Sequence, residues 1–191
     1  MKHIIRNTVC LAVFSALIAI PLHAEKAVPG YVDFGKFSPA VSGGEFVEVQ
    51  VKSNLISMAA RLAQKDQPEV AELIRGLQLI RVNVIGLDDQ NRAEVEKRVK
   101  AIRSELDAQG WERVVAVQQK NQDVGIYAKL RGEEAVEGVV VTVLEANREA
   151  VLINIVGDLK PEKLAVVGER FNIEPLKKLG PMLKKQAPSQ K

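Results

Sequence analysis

The sequence has very few side chains of the kinds that most often perform nucleophilic or metal chemistry. Its 191 residues include one cysteine and two histidines. These residues, His3, Cys10 and His23, all precede Glu25, in a segment typical of an export signal. After removal of that segment we expect no cysteine nucleophile, disulfide, imidazole base or His/Cys metal site.

The first 24 residues have the three parts of a signal peptide. Lys2 and Arg6 form a basic start, Val9–Ile20 an apolar run, and the residues ending at Ala24 an approximate cleavage site. Because a transmembrane helix needs about 20 apolar residues, we predict cleavage near Ala24 and a periplasmic or secreted protein. Retention of the segment as an anchor is the alternative. The residues before Cys10 do not resemble a lipid-attachment site.

The charge is nearly balanced along most of the chain and becomes basic at the end. Removal of Lys2 and Arg6 lowers the formal net charge from +3 to +1. Residues 176–191 contain only basic charges, and we predict a flexible, solvated tail. The alternative is peripheral contact with anionic lipid through Lys177, Lys178, Lys184 and Lys185. Aromatic residues do not alternate with basic ones anywhere, so we expect no nucleic-acid partner.

Residues 25–44 form a predicted N-terminal arm. They contain three of the eight aromatic residues, Tyr31, Phe34 and Phe37. Their weak alternation with polar residues is typical of an edge strand or of an ordered arm packed on the core. The alternative is an aromatic patch that contacts a ligand or a partner.

Residues 45–175 are predicted to form a single α+β domain. Alternating or β-branched runs predict six strands, at 45–52, 77–86, 112–119, 123–131, 139–145 and 150–156. Helical spacing predicts helices after Ser53, from Pro68, from Asp88 or Asp89 to Gln109, and from Pro161. Short strands joined by polar turns favour a mainly antiparallel sheet covered by helices, a two-layer sandwich that is locally ferredoxin-like.

The last two strands are apolar on both faces. Val139, Val141 and Val143 share one face of the first strand, as Val151, Ile153 and Ile155 do in the second. Strands of this kind usually lie in the middle of a sheet. We expect Gly157 to end the second strand and Asp158 to cap a helix with the apolar stripe Leu164, Val167, Gly168 and Phe171.

Each helix is expected to bury one apolar face. In the first the predicted face is Leu55, Met58, Ala59 and Leu62, and in the second Val70, Leu73 and Ile74, with Gly76 as the C′ residue that follows its end. In the third the predicted face is Val95, Val99, Ile102 and Leu106. Its opposite face is expected to be solvated, with the ion pairs Glu94–Arg98 and Glu96–Lys100.

A few polar residues are candidates for a site. Thr142 and Asn154 interrupt apolar strands, so we expect them to hydrogen-bond each other or, alternatively, to line a ligand pocket. Asp88-Asp89 suits helix capping better than divalent-cation binding, and Glu133-Glu134 is expected to be solvated. Walker, Rossmann, zincin and nucleophile-elbow motifs are absent, and no spacing selects a Ser–Lys pair. We therefore predict no catalytic, cofactor-binding or metal-binding residues.

The stretch EAVLINIVGDLKPEKLAVVGERFNI, from Glu149 to Ile173, resembles the C-terminal motif of the domain-of-unknown-function family DUF4252. The resemblance implies an exported or lipid-anchored bacterial protein with a helical first half and a closing strand, Gly-Asp and helix. It carries no catalytic residues that can be transferred to this chain. Unlike lipid-anchored members, this chain lacks a usable lipid-attachment motif.

These features favour an exported, non-enzymatic protein that acts through protein–protein interaction in the bacterial envelope, in sensing or regulation. Its expected partner is an envelope protein of unknown identity. The alternative is a module that binds a small ligand or lipid at the membrane surface, in a cleft between the sheet and the helices. An enzyme that uses serine, lysine or carboxylates is the weakest hypothesis.

Overall fold

The computed structural model describes residues 28–132, 135–146 and 148–159. This part of the chain has six strands: β1 (Phe46–Lys52), β2 (Leu77–Gly86), β3 (Glu112–Gln118), β4 (Gln122–Arg131), β5 (Ala135–Glu145) and β6 (Glu149–Leu159). It has three helices: α1 (Ser53–Asp66), α2 (Pro68–Arg75) and α3 (Arg92–Ala108). The predicted α+β class is confirmed.

Several predicted features lie outside the described residues. They are the signal peptide before Glu25, Glu133-Glu134, the helix from Pro161 with its stripe (Leu164, Val167, Gly168, Phe171), and the basic tail with Lys177, Lys178, Lys184 and Lys185. These features therefore stay predictions.

The six described strands form one antiparallel sheet in the order β1-β2-β6-β5-β4-β3. β6 and β5 occupy the two central places, as their two apolar faces predicted. Their register pairs Val139 with Ile155, Val141 with Ile153, and Val143 with Val151. Paired residues point to the same side of a sheet, so the two predicted valine and isoleucine faces form one continuous apolar surface.

Within the described residues, α3 carries the chain from one part of the sheet to its far edge. Strands β3 to β6 are neighbours in sequence order, whereas α3 connects β2 with β3 at the far edge. Four antiparallel pairings separate β2 from β3, so these two strands run in the same direction. This β–α–β connection covers one side of the sheet, which we call the first face.

The first face holds the core built around α3. The predicted seam of this helix is confirmed, since Val95, Val99, Ile102 and Leu106 are all buried. They cluster with residues of the sheet and of the connections: Ile85, Trp111, Tyr127, Val140, Leu144, Ala150 and Leu152. This packing fixes α3 over the sheet, and with it the polar side chains that α3 carries.

The opposite side, the second face, holds a separate apolar cluster. Ile56 of α1 and Ile74 of α2 pack into it, together with strand residues such as Val139, Val141 and Ile155. In α2 the predicted inward positions are confirmed, because Leu73 is buried and Val70 and Ile74 are half-buried. The helices α1 and α2 thus connect β1 with β2 and contribute apolar side chains to the second face.

Two glycines mark the point where α2 returns to the sheet. A Cβ atom on Gly157 would lie 2.2 Å from the Gly76 carbonyl oxygen, and one on Gly76 would lie 2.7 Å from the Asp158 carbonyl oxygen. Gly76 directly follows the last helical residue, Arg75, at the predicted end of α2, and its φ of −77° is not left-handed. The two glycines are instead required because the two backbones approach this closely.

The predicted end of β6 at Gly157 is also wrong. The strand continues to Leu159, because Leu77 pairs with Gly157 on one side and Val136 pairs with Leu159 on the other. Asp158 is therefore a strand residue, and its exposed carboxylate accepts a hydrogen bond from Arg131 at 3.0 Å. The helix that it was predicted to cap lies outside the described residues.

Candidate functional site

The N-terminal arm, residues 28–45, lies on the first face without forming a strand. Val32 and Phe34 are buried and belong to the core around α3. In the part of the chain that the structure describes, this segment packs on the core and does not pair as an edge strand of the sheet. The arm therefore completes the first face, and the side chains that hold it decide the shape of the surface beside α3.

Asn154 holds the beginning of the arm. Its Oδ1 accepts a hydrogen bond from the Val32 backbone N–H at 3.0 Å, and its Nδ2 donates to the Gly30 carbonyl at 2.9 Å. Nδ2 also donates to the Val139 carbonyl in the neighbouring strand at 3.2 Å. Since Asn154 is fully buried, its amide is the fixed point to which the arm backbone is attached.

The arm crosses β5 where both backbones lack a side chain. Gly30 has a φ of +81°, and a Cβ atom there would lie 2.1 Å from the Glu137 carbonyl oxygen. A Cβ atom on Gly138 would lie 2.5 Å from the Gly30 carbonyl oxygen. Side chains are excluded here, so the two glycines allow Gly30 to reach Asn154.

Arg81 of β2 holds the next part of the arm. Its guanidinium donates to the Asp33 carboxylate at 3.2 Å and to the Gly35 carbonyl at 3.0 Å. The cation also lies 5.5 Å from the centre of the Phe34 ring, a distance typical of a cation–π contact. A hydrogen bond from the Gly35 N–H, with help from Arg81, lowers the pKa of Asp33.

The predicted pairing between Thr142 and Asn154 is wrong. In the register of the hairpin, Thr142 lies opposite Leu152, and Asn154 lies opposite Val140. The Thr142 hydroxyl oxygen instead accepts a hydrogen bond from Arg103 of α3 at 2.9 Å. The two buried polar side chains therefore belong to two separate contacts, one with the arm and one with α3.

A groove runs between the arm and the first half of α3. Its volume is about 620 Å³. The lining residues come from the arm (Lys36, Phe37, Ser38, Pro39, Val41), from the turn before α3 (Gln90, Asn91) and from α3 itself (Glu94, Val95, Lys97, Arg98, Ala101). Three of them are cationic and one is anionic.

Arg98 forms part of the contact between the groove and the arm. Its Nε donates to the Phe34 carbonyl at 3.0 Å, and its Nη2 donates to the Asp33 carbonyl at 3.2 Å. Nη1 reaches Glu105 at 3.4 Å. The expectation that Arg98 pairs with Glu94 on a solvated face is thus wrong, because the Arg98 guanidinium donates to backbone carbonyls of the arm instead.

Asp88 fixes the other end of the groove. Its carboxylate accepts hydrogen bonds from the backbone N–H groups of Asn91 and Gln90, each at 2.9 Å. It also accepts from the N–H and the hydroxyl of Ser42 in the arm, at 3.2 and 3.0 Å. These bonds, led by the one from Asn91, lower the pKa of Asp88 to about 2.

Asp88 and Asp89 differ in role. α3 begins at Arg92 after Asn91, so Asp88 organises the turn before the helix rather than occupying the capping position itself. The Asp89 carboxylate is exposed and lies 3.7 Å from Arg92. Within the described residues, no three His, Cys, Asp or Glu side chains are grouped so that they would hold a metal ion.

The three aromatic residues proposed as contacts have different environments. Tyr31 is partly exposed, Phe34 is fully buried, and Phe37 is half-buried and lines the groove. Phe37 is therefore the proposed contact residue that the structure brings to the groove. Arg81, Arg98, Lys36 and Lys97 were not predicted as site residues; the visible signal for Arg81 was a charged residue in a strand with several apolar residues.

α1 presents a second surface. The prediction that Leu55, Met58, Ala59 and Leu62 face the core is wrong: the buried residues are Ile56 and Ala60. Leu55, Met58 and Leu62 are 48%, 49% and 74% exposed. Because they are spaced by three and four residues, they lie on one side of the helix. We call these three residues the α1 stripe.

No helix in the described part of the chain is long enough and apolar enough to cross a membrane. No curated protein and no solved structure matches the sequence. The sequence model described as "Domain of unknown function (DUF4252)" matches residues 42–167, about two thirds of the chain. The match includes every described strand and helix and confirms the resemblance seen in the closing motif. The chain therefore belongs to the DUF4252 family of domains of unknown function.

Proposed function

We propose that this protein is an exported, non-enzymatic component of the bacterial envelope that acts by binding another protein, in sensing or regulation. The α1 stripe is the observation that carries the proposal. Contiguous exposed apolar residues on a folded protein often mark an interaction site. Export is proposed from the signal-like N-terminal segment.

The packing of α1 explains why the stripe is available. Ile56 and Ala60 already attach the helix to the rest of the domain. Leu62 is still 74% exposed, so it contributes little to the core of the described fold. An amphipathic helix commonly binds by placing an apolar edge in a groove of its partner.

Charges beside the stripe indicate the chemistry of the partner. Arg61 follows Met58 by three residues, and Lys65 follows Leu62 by three, so both cations border the stripe. Both side chains are on exposed residues. We therefore propose a protein partner with an apolar groove bordered by carboxylates, because complementary charges direct association and orientation.

Site-specific photo-crosslinking in cells tests this proposal. A photoreactive residue is placed at Leu62, and a matched one at Ser57, which is exposed on another side of α1. We expect capture of one protein from position 62 and not from position 57. The captured protein is then purified, and its Kd is measured with the wild type, Leu62→Ser and Ser57→Ala.

We expect Leu62→Ser to weaken binding at least about tenfold, the effect of losing about 1.4 kcal/mol at a central apolar contact. Ser57→Ala should leave the Kd unchanged. Equal capture from both positions, or an unchanged Kd for Leu62→Ser, would contradict the proposal. Capture of a second copy of this chain, or of lipid alone, from position 62 would contradict the proposed partner.

A further inference from the structure

We propose that the groove between the arm and α3 binds a small anionic amphiphile, a single acyl chain that carries a carboxylate or a phosphate. This site is formed by different elements from the α1 stripe. Its volume of about 620 Å³ falls within the range of about 300–1,000 Å³ typical of small-molecule sites. The chemical class follows from how the groove is built and lined.

The arm wall of the groove is held at both ends. At one end, the Gly35 carbonyl accepts a hydrogen bond from Arg81 at 3.0 Å. At the other end, Ser42 donates two hydrogen bonds to Asp88. The arm residues that line the groove lie between these two anchors, from Lys36 to Val41. A wall fixed in this way is formed before any ligand arrives, which reduces the entropic cost of binding.

The charged lining favours an anion. The lining includes three cations, Lys36 from the arm and Lys97 and Arg98 from α3, and one carboxylate, that of Glu94. Arg98 is already oriented by the Phe34 and Asp33 carbonyls, and its side chain is 35% exposed. A Cβ atom on Gly35 would lie 3.4 Å from the Arg98 Nε, an ordinary contact distance, so the arm and α3 lie close together here. Cations from two elements therefore border the same space.

The apolar lining favours a hydrocarbon chain beside the anion. It consists of Phe37, Pro39, Val41, Val95 and Ala101. Val41 is 79% exposed, so a bound chain would remove apolar surface from water at this position. Removal of apolar surface from water favours binding. A ligand with both an anionic head and an acyl chain satisfies the two parts of the lining together.

Titration with three twelve-carbon amphiphiles tests the proposal. Dodecanoate, dodecyl phosphate and dodecyl maltoside are each added below their critical micelle concentrations, and binding is followed by calorimetry and by backbone amide chemical shifts. We expect at least one of the two anions to bind one-to-one with shifts concentrated at residues 36–41 and 90–101. The neutral maltoside should bind at least about tenfold more weakly. The tighter of the two anions identifies the head group.

A charge-neutral double variant and a matched control locate the site. We expect Lys36→Gln with Lys97→Gln to weaken binding of the anion at least about tenfold. Lys100→Gln removes an exposed cation of α3 that does not line the groove and should leave binding unchanged. Failure of both anions to bind, equal binding of the maltoside, shifts elsewhere, or unchanged binding by the double variant would each overturn the proposal. None of these results depends on α1.

Discussion

At the scale of single residues, buried polar groups connect the arm to the sheet. Asn154 is fully buried, and three backbone groups satisfy its amide. A buried polar group without partners is costly, whereas a satisfied one fixes a particular geometry. The arm is therefore placed on the first face by specific hydrogen bonds in addition to the burial of Val32 and Phe34.

Replacement of Asn154 tests this attachment. In Asn154→Ala, the Val32 N–H and the Gly30 carbonyl lose their partner in a buried position. We expect the free energy of unfolding to fall by about 1–3 kcal/mol for each group left unsatisfied, measured by urea denaturation. The exposed Asn54 provides a control, and Asn54→Ala should change the value by less than about 0.5 kcal/mol. If Asn154→Ala lowers the free energy of unfolding as little as Asn54→Ala does, the Asn154 amide does not hold the arm.

The lowered pKa of Asp88 predicts how the stability of the protein changes with pH in the acid range. Its folded pKa of about 2 lies below the usual value of 3.8, so the ionised form is favoured in the folded state. The resulting stabilisation is complete above about pH 4 and is lost as the pH falls towards 2. We expect the difference in urea midpoint between the wild type and Asp88→Asn to shrink over this range. A difference that stays constant with pH would contradict the assignment.

At the scale of elements, local periodicity predicted most of the fold. The alternating strands, the seam of α3 and the central position of β5 and β6 all follow from which side chains share a face. The same method chose the wrong side of α1, because that helix has two apolar edges. Only the tertiary packing selects Ile56 over Met58, and a local pattern does not contain that information.

Glycine substitutions in the arm distinguish the cost of an unfavourable backbone conformation from the cost of a clash with β5 where the arm crosses it. Gly30 and Gly43 both have positive φ, +81° and +83°, but a Cβ atom meets the β5 backbone only at Gly30. We expect Gly43→Ala to cost about 1–2 kcal/mol for its backbone conformation alone. Gly30→Ala should cost more and should expose the arm to proteolysis. If Gly30→Ala and Gly43→Ala lower the free energy of unfolding equally and the arm is not cleaved, the close approach between the arm and β5 is contradicted.

At the scale of the whole molecule, contacts between distant parts of the sequence create the candidate sites. The hydrogen bond between Val32 and Asn154 spans 122 residues, and the one between Arg98 and Phe34 spans 64. The groove exists because the arm returns to α3 after passing over the sheet. Phe37 was predicted as a contact residue from the sequence, but no local pattern shows that Lys36 and Lys97 line the same groove.

The central claim is that the α1 stripe lies on the surface and is not part of the core, which leaves it available for the proposed binding. Urea denaturation of Met58→Ala and Ile56→Ala tests it most directly, because both variants shorten an apolar side chain of the same helix. We expect Ile56→Ala to lower the free energy of unfolding by about 2–5 kcal/mol and Met58→Ala to change it by less than about 0.5 kcal/mol. A loss for Met58→Ala as large as that for Ile56→Ala would contradict the account.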